Sequence, residues 1–281
     1  MENSPSFPID YLNSIISNDK LKQIAAENAE KYQTGKPFPH IYFDDFFPKD
    51  FLAKVAEEFP EANAESWQKF DAKAEKKLAT VGDATIGPYA RALISIMNSG
   101  MFIEFLEELT GISGLLPDPH LTGGGLHQIM PGGKLSLHLD FNAYARKKLE
   151  RRLNILVYLN DNWEESYGGH LELWDKDVTH MAVKILPIFN RVALFSTSEI
   201  SWHGHPDPLT CPENRSRRSV ALYYYTVDRP DEEKAPEHTT VFRERPGEKL
   251  TGFEFNKQNI IKILKDFVPP ILIKLLKQFK G

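Results

Sequence analysis

Gly132–Asn142 reads GGKLSLHLDFN, and the alternation inside it decides how the rest of the chain is read. In a β-strand successive side chains point to opposite faces. Leu135, Leu137 and Leu139 therefore share one face, and Ser136, His138 and Asp140 share the other. His138 and Asp140 stand about 6.6 Å apart along the backbone, the rise of two strand residues. A surface strand tolerates that pair without purpose, whereas a metal site needs an imidazole and a carboxylate side by side. The pair alone is a weak signal, because the chain repeats it at His205–Asp207 and nearly repeats it at His170–Glu172.

Outward from this stretch, residues 125–227 form short β-rich runs separated by Gly, Pro, Asn and Asp. They are LHQIM, KLSLHLD, RRLNILVYLN, GHLELWD, HMAVKILP, RVALFS and RRSVALYYYTV. Many short strands at modest spacing predict a mainly β sandwich or jelly roll with flanking helices. Helices are expected within 10–33, from Pro48, and over 88–98 and 101–110, with PHIYFDDFF a short strand. Asn18 or Asp19 is the expected cap of the second helix in the first of these segments. The expected organisation is a helical N-terminal region over 1–119, a β core over 120–230, a polar connector over 231–255 and a basic amphipathic tail over 256–281.

Composition sets the class. The 281 residues are 41% hydrophobic and 26% charged, as in an ordinary globular protein. A single cysteine, Cys211, forbids an intrachain disulfide and fits a reducing, cytoplasmic setting. The N-terminus has neither the basic nor the apolar region of a secretion signal, and no run is long enough to span a bilayer. A net charge of −5 argues against a nucleic-acid binder driven by phosphate neutralisation. The charge is uneven, because 256–281 carries +5 against −10 for the remainder. That tail is read either as a helix packed on the domain or as a basic amphipathic segment that meets an anionic membrane surface or a partner.

Two further segments give the His138/Asp140 pair its company. His203, in SWHGHPDPL, follows the apolar run RVALFS and offers a second imidazole from another strand, with His205 as its competitor. Two histidines and one carboxylate make a facial triad that holds Fe(II) and leaves positions open. In RRSVALYYYT, Arg217 shares a face with Ser219, Ala221 and Tyr223, whereas Arg218 shares one with Val220 and Leu222. A guanidinium beside a hydroxyl is a receptor for a carboxylate. His120, His127, His170 and His180 are expected in loops or at strand ends as hydrogen-bonded residues. The glycines of YGGHLEL are assigned to a tight turn.

Taken in order, PGGKLSLHLD, LNILVYLN, YGGHLELW, PIFNRVALFST, WHGHPDPL and RRSVALYYYT resemble the Fe(II)/2-oxoglutarate-dependent oxygenases, in their prolyl 4-hydroxylase-like branch. The resemblance covers about residues 120–227 and implies a double-stranded β-helix. It implies His138, Asp140 and His203 as iron ligands and catalytic centre, and Arg217 with Ser219 for the distal carboxylate of 2-oxoglutarate. Tyr158 is similar to a tyrosine that supports the same carboxylate, and Gln128 would approach the cosubstrate from the preceding strand. The implied cofactors are Fe(II), 2-oxoglutarate and O2, with ascorbate as accessory reductant. The implied reaction is hydroxylation with release of succinate and CO2. Asp140 favours hydroxylation, since halogenating relatives lack this carboxylate. The substrate, a peptidyl proline, an amino acid or another small metabolite, is not encoded in any motif. The runs AYARKKLERR beside it read as a solvated charged face or as a grip for an acidic substrate.

Two other readings compete. A cupin-like metal protein or isomerase accounts for the two histidines and the aspartate but leaves Arg217 and Ser219 without a role. A non-catalytic β-sandwich interaction protein leaves all of them structural.

Overall fold

The computed structural model describes residues 14–250, apart from 83 and 145–147. Its N-terminal part supplies α1 (Asn18–Gln33), β1 (His40–Phe43), α2 (Lys49–Glu57), the hairpin β2 (Gln68–Ala72) and β3 (Glu75–Ala79), α3 (Pro88–Met97) and α4 (Gly100–Thr110). The strand-rich part follows with β4 (Leu116–Pro117), β5 (Gly125–Ile129), β6 (Leu135–Leu139), β7 (Ala143–Tyr144), β8 (Leu149–Tyr158) and β9 (Leu171–Trp174). It continues with β10 (Met181–Ile185), β11 (Val192–Ser196), β12 (His203–His205), β13 (Arg217–Thr226) and β14 (Val241–Phe242).

Local chemistry sets the helix ends. Ser17, on an extended backbone, accepts the Lys20 amide at 3.2 Å and caps α1, so Asn18 and Asp19 fall inside the helix. Pro48 and Pro88 sit where the first turn of a helix needs no amide donor. α4 stops at Gly111, whose φ of 73° is the left-handed conformation of a helix C-terminus.

The strands run in the order β1-β11-β8-β13-β5-β3-β6-β12-β9-β10. β3 is the corner, pairing Leu78 and Ala79 with Gln128 and His127 of β5, and Glu75 with Leu135 of β6. A first wall of β11, β8, β13 and β5 thus faces a second wall of β6, β12, β9 and β10. Leu153, Ile155 and Val157 of β8 and Val220, Leu222 and Tyr224 of β13 point outward into one core with Leu21, Leu52, Leu93 and Phe102 of the helices. Inward, Tyr158, Ala193 and Phe195 meet Leu171, Leu173 and Ile185 of the second wall. Burial on both faces explains why LNILVYL does not alternate. Each such side chain contributes about 1.5–3 kcal/mol of hydrophobic stabilisation.

The part before residue 120 is not only helical. β1 pairs with β11, and β3 is woven between β5 and β6. The polar connector also gives a strand, β14, which pairs Val241 and Phe242 with Leu139 and His138. Among the described residues no helix is long and apolar enough to cross a membrane. The tail 256–281, with both of its readings, lies outside the described residues, as do Arg146 and Lys147 of the charged run.

Candidate active site

His138 in β6 and His203 at the start of β12 are direct partners in the antiparallel register. Gly204 permits this approach, since a Cβ there would meet the carbonyl oxygens of Leu135 and Ser136 at 2.7 and 2.9 Å. The two imidazole rings lie 4.3 Å apart. Asp140, one residue beyond β6, places Oδ1 3.7 Å from His138 Nε2 and Oδ2 3.4 Å from His203 Nε2. One donor atom from each of the three lies within 4.8 Å of the others.

The protonation pattern suits a cation. His138 Nδ1 lies 3.0 Å from the Ser136 carbonyl oxygen, and His203 Nδ1 lies 2.8 Å from that of Ser201. A carbonyl only accepts, so each Nδ1 carries a hydrogen and each Nε2 is turned toward Asp140. Burial, reinforced by the neighbouring His203, pushes the His138 imidazole down to about 3, which keeps it neutral. Burial would raise the Asp140 carboxyl, but the Arg151 guanidinium and the two imidazoles outweigh it and hold the group well below the usual carboxylate range. A neutral His138 imidazole, a second imidazole and an ionised carboxylate make a donor set that fits Fe(II).

Asp140 is itself held. Asn154 Nδ2 donates to its Oδ2 at 2.6 Å, and Arg151 Nη2 lies 3.1 Å from the same oxygen. Arg151 also donates to Asn154 Oδ1 through Nε and Nη2 at 3.0 and 2.7 Å. Its guanidinium carbon sits 3.5 Å from the Tyr223 ring centre and 4.4 Å from that of Phe141. The expectation of a solvated charged run therefore fails at Arg151, which is 1% exposed. It also fails at Arg152, which is buried against Glu233 at 3.1 Å. A charged residue reads as outdoors in a sequence, and only the length of β8 carries these two inside.

Arg217 points into the interior from β13. Its Nε donates to the Gly169 carbonyl at 2.7 Å and its Nη2 to the Tyr158 hydroxyl at 3.2 Å. No carboxylate of the described residues pairs with it. Gly169 is more than a turn residue, because a Cβ on it would meet Arg217 Cδ at 2.9 Å. Ser219 lies in register between Tyr158 of β8 and His127 of β5, so all three share the inner face. Arg218 goes to the other face, donating to the Ala56 carbonyl at 3.3 Å.

Gln128 requires correction. It pairs in register with Arg218, not Arg217, and donates to Ser216 Oγ at 3.0 Å on the helix side of the wall. The inward position of β5 belongs to His127, which lies within the strand and not at its end. His127 Nε2 lies 3.1 Å from the Gly123 carbonyl oxygen. His170 and His180 have the bland role expected of them, 2.8 and 3.5 Å from Glu165 and Asp175. His205 is buried, with neither ring nitrogen partnered.

A cavity of about 410 Å³ opens onto His138, Asp140, Arg151 and Tyr223, and the β2–β3 hairpin closes its far side with Phe70, Glu75 and Lys77. Lys77 Nζ pairs with Glu75 Oε1 at 2.8 Å and lies 5.1 Å from the Phe70 ring centre. A larger groove of about 930 Å³ lies elsewhere. Its arginines are already engaged, Arg152 with Glu233 at 3.1 Å and Arg229 with Glu150 at 3.3 Å, whereas the smaller cavity is the one that reaches His138 and Asp140.

The His/Asp/His cluster and the interior arginine both lie within a segment that matches a known family model. Residues 124–225 match the model of the 2OG-Fe(II) oxygenase superfamily. It is similar to prolyl 3-hydroxylase OGFOD1 of Mus musculus, 26% identical over 137 residues that make up 47% of this chain. The match spans 23% of that protein's length. Among solved structures, a Trichoplax adhaerens prolyl hydroxylase in complex with a hypoxia inducible factor peptide aligns with a TM-score of 0.56 and 17% identity, over 74% of this chain and 91% of its own. A Pseudomonas putida prolyl-4-hydroxylase aligns with a TM-score of 0.52 and 17% identity, over 72% and 98%. The fold is similar to that of these two prolyl hydroxylases.

Proposed function

We propose that the protein is an Fe(II)- and 2-oxoglutarate-dependent dioxygenase that hydroxylates a peptide or small-molecule substrate and releases succinate and CO2. The observation that carries this reading is the sharing of one interior by a His/Asp/His cluster with an ionised Asp140 and an arginine that no acid of the described residues compensates. When bound, Fe(II) with 2-oxoglutarate and O2 supplies the oxidising chemistry, in which decarboxylation of the 2-oxo acid is coupled to insertion of one oxygen atom into a substrate C–H bond.

The chain's own residues hold and orient. His138, Asp140 and His203 are the ligands, and the Ser136 and Ser201 carbonyls fix their imidazoles in the tautomer that binds. Arg151 and Asn154 lock the Asp140 carboxylate so that it does not swing away. Arg217, supported by Tyr158 and with Ser219 beside it, holds the distal carboxylate of 2-oxoglutarate. The β2–β3 hairpin and the Phe70, Phe141 and Tyr223 rings shield the cavity from water and lay the substrate next to His138 and Asp140. Peptidyl proline is the first substrate to try, since the mouse and Trichoplax relatives are named prolyl hydroxylases. The single cysteine supports a cytoplasmic site of action, and the net charge of −5 speaks against nucleic acid as a partner.

The test is consumption of 2-oxoglutarate by the full chain with Fe(II), O2 and ascorbate, read as succinate, together with a mass gain of one oxygen atom in candidate peptides. Succinate release that disappears in His138→Ala supports the reading. Tight metal binding with no 2-oxoglutarate consumption under any substrate would favour a cupin-like protein instead.

A further inference from the structure

We infer that Phe242 of β14 is a positioning residue for the metal ligand His138; this rests on the metal site of the function proposed above. β14 lies beyond the segment 124–225 that matches the family model, in a stretch the sequence presents as a polar connector. It nevertheless joins the strand that carries His138. Val241 opposes Leu139, Phe242 opposes His138, and the Arg243 amide donates to the Leu137 carbonyl at 2.9 Å. Opposed residues of an antiparallel pair project from the same face, which sets the Phe242 ring beside the His138 imidazole. The ring centres are 5.7 Å apart and the planes meet at 40°. Asn142 ties the segment down just beyond Asp140. Its Nδ2 donates to the Pro236 carbonyl at 2.9 Å, and its Oδ1 accepts the His238 amide at 2.9 Å.

The result is a run of four rings. On the other edge of β6, His203 opposes His138 with the two imidazole centres 4.3 Å apart, and His203 in turn lies 4.5 Å from Phe195 of β11. The run begins at Phe195, 1% exposed in the inner core, and ends at Phe242, 36% exposed. Each imidazole is held by one bond from Nδ1 to a carbonyl, and a single bond leaves a ring free to pivot about it. His203 has the rings of two neighbours against it. His138 has a fellow ligand on one flank, so Phe242 is what confines it on the other. An imidazole that pivots freely loses that freedom when it ligates an ion, and affinity falls accordingly. Val241 provides the internal comparison, because it projects from the opposite face of the same strand, with Leu139 of the outer cluster.

The experiment titrates the metal-free full chain with Co(II), whose visible absorption reports the geometry of its ligands. Phe242→Ala should raise the Co(II) Kd roughly 2- to 10-fold, the scale of one ring pair, and alter the visible bands. Phe242→Tyr, which keeps the ring, should restore both, and Val241→Ala should match the unsubstituted protein. That pattern supports the inference. An unchanged Kd and spectrum in Phe242→Ala overturns it, and so does an equal weakening in Val241→Ala, which would credit the strand and not the ring. Collapse of the Phe242→Ala fold in a thermal melt would make the residue structural, and overturns it as well. An unsubstituted protein that binds Co(II) but consumes no 2-oxoglutarate refutes the proposed reaction, while the positioning role still stands or falls by the titration. One that binds no Co(II) overturns both.

Discussion

The wall of β11, β8, β13 and β5 is backed by four helices that share its outer core, whereas among the described residues that core takes in none of β6, β12, β9 or β10. Among the described residues, the outer side of the second wall carries a small cluster of Leu137, Leu139, Trp174, Val178 and Trp202. The first wall presents Arg217, Tyr158 and Ser219 to the interior, and the second presents His138, Asp140 and His203. Apolar burial therefore anchors the side that would grip an organic acid. Backbone carbonyls, a glycine and a carboxylate clamp shape the side that would grip a metal. Stability and ligand geometry are drawn from different sources, and substitutions should separate them.

The largest effect expected lies on the second wall. His138→Ala or His203→Ala should weaken Fe(II) binding by more than about 100-fold and abolish succinate release, since removing a ligand exceeds the loss from its outer partners. Thermal melts of the metal-free variants should stay close to the unsubstituted protein, and a collapse of the fold would break the division between the walls. On the first wall the reverse is expected. Leu222→Ala, at a position 2% exposed, should cost about 2–5 kcal/mol in denaturant unfolding while leaving Fe(II) affinity of the folded protein unchanged.

Arg217→Met should weaken 2-oxoglutarate roughly 10–100-fold by anaerobic titration, again with Fe(II) affinity intact. Asn154→Ala, which removes a hydrogen-bond donor to Asp140 Oδ2, should lower Fe(II) affinity about 10-fold. An equal loss of 2-oxoglutarate affinity in the absence of metal would show that the two walls are not independent.

The smallest effect per step is that of pH. Burial pushes the His127 imidazole on the first wall down to about 3, from 6.5 in the unfolded chain. Between those values the unfolded state binds the proton and the folded state does not. Stability is thus complete above pH 6.5 and falls as pH drops through the window, by at most about 1.4 kcal/mol per pH unit. His127→Gln should flatten this acid limb in urea melts of the metal-free protein between pH 7 and 5.

Much of this was written in apolar pattern. The runs that became β6, β8, β9, β10, β11 and β13 are strongly apolar or strictly alternating, and the inner face of β13 follows from its parity alone. The β2–β3 hairpin carries lysines and acids with little apolar contrast, so nothing marked it as a strand pair. β12 is three residues long and β14 two, too short for any period to show. The error at Gln128 arose from register. Leu126, Gln128 and Met130 share a face by parity, but which face meets the cavity depends on how β5 aligns with β13. Arg151 was missed because its partner Asp140 lies eleven positions earlier, on a neighbouring segment brought close only by the fold.

Gly204 carries one last consequence. Its α-carbon runs so close to the Leu135 and Ser136 carbonyls that even an alanine methyl would wedge β12 away from β6. The bite offered to an ion is consequently gauged by the width of a missing side chain, and not by the imidazoles that do the biting. A single added carbon would shift the His203 nitrogen away from His138 and so retune which ionic radius the mouth accepts, with every donor residue still in the sequence.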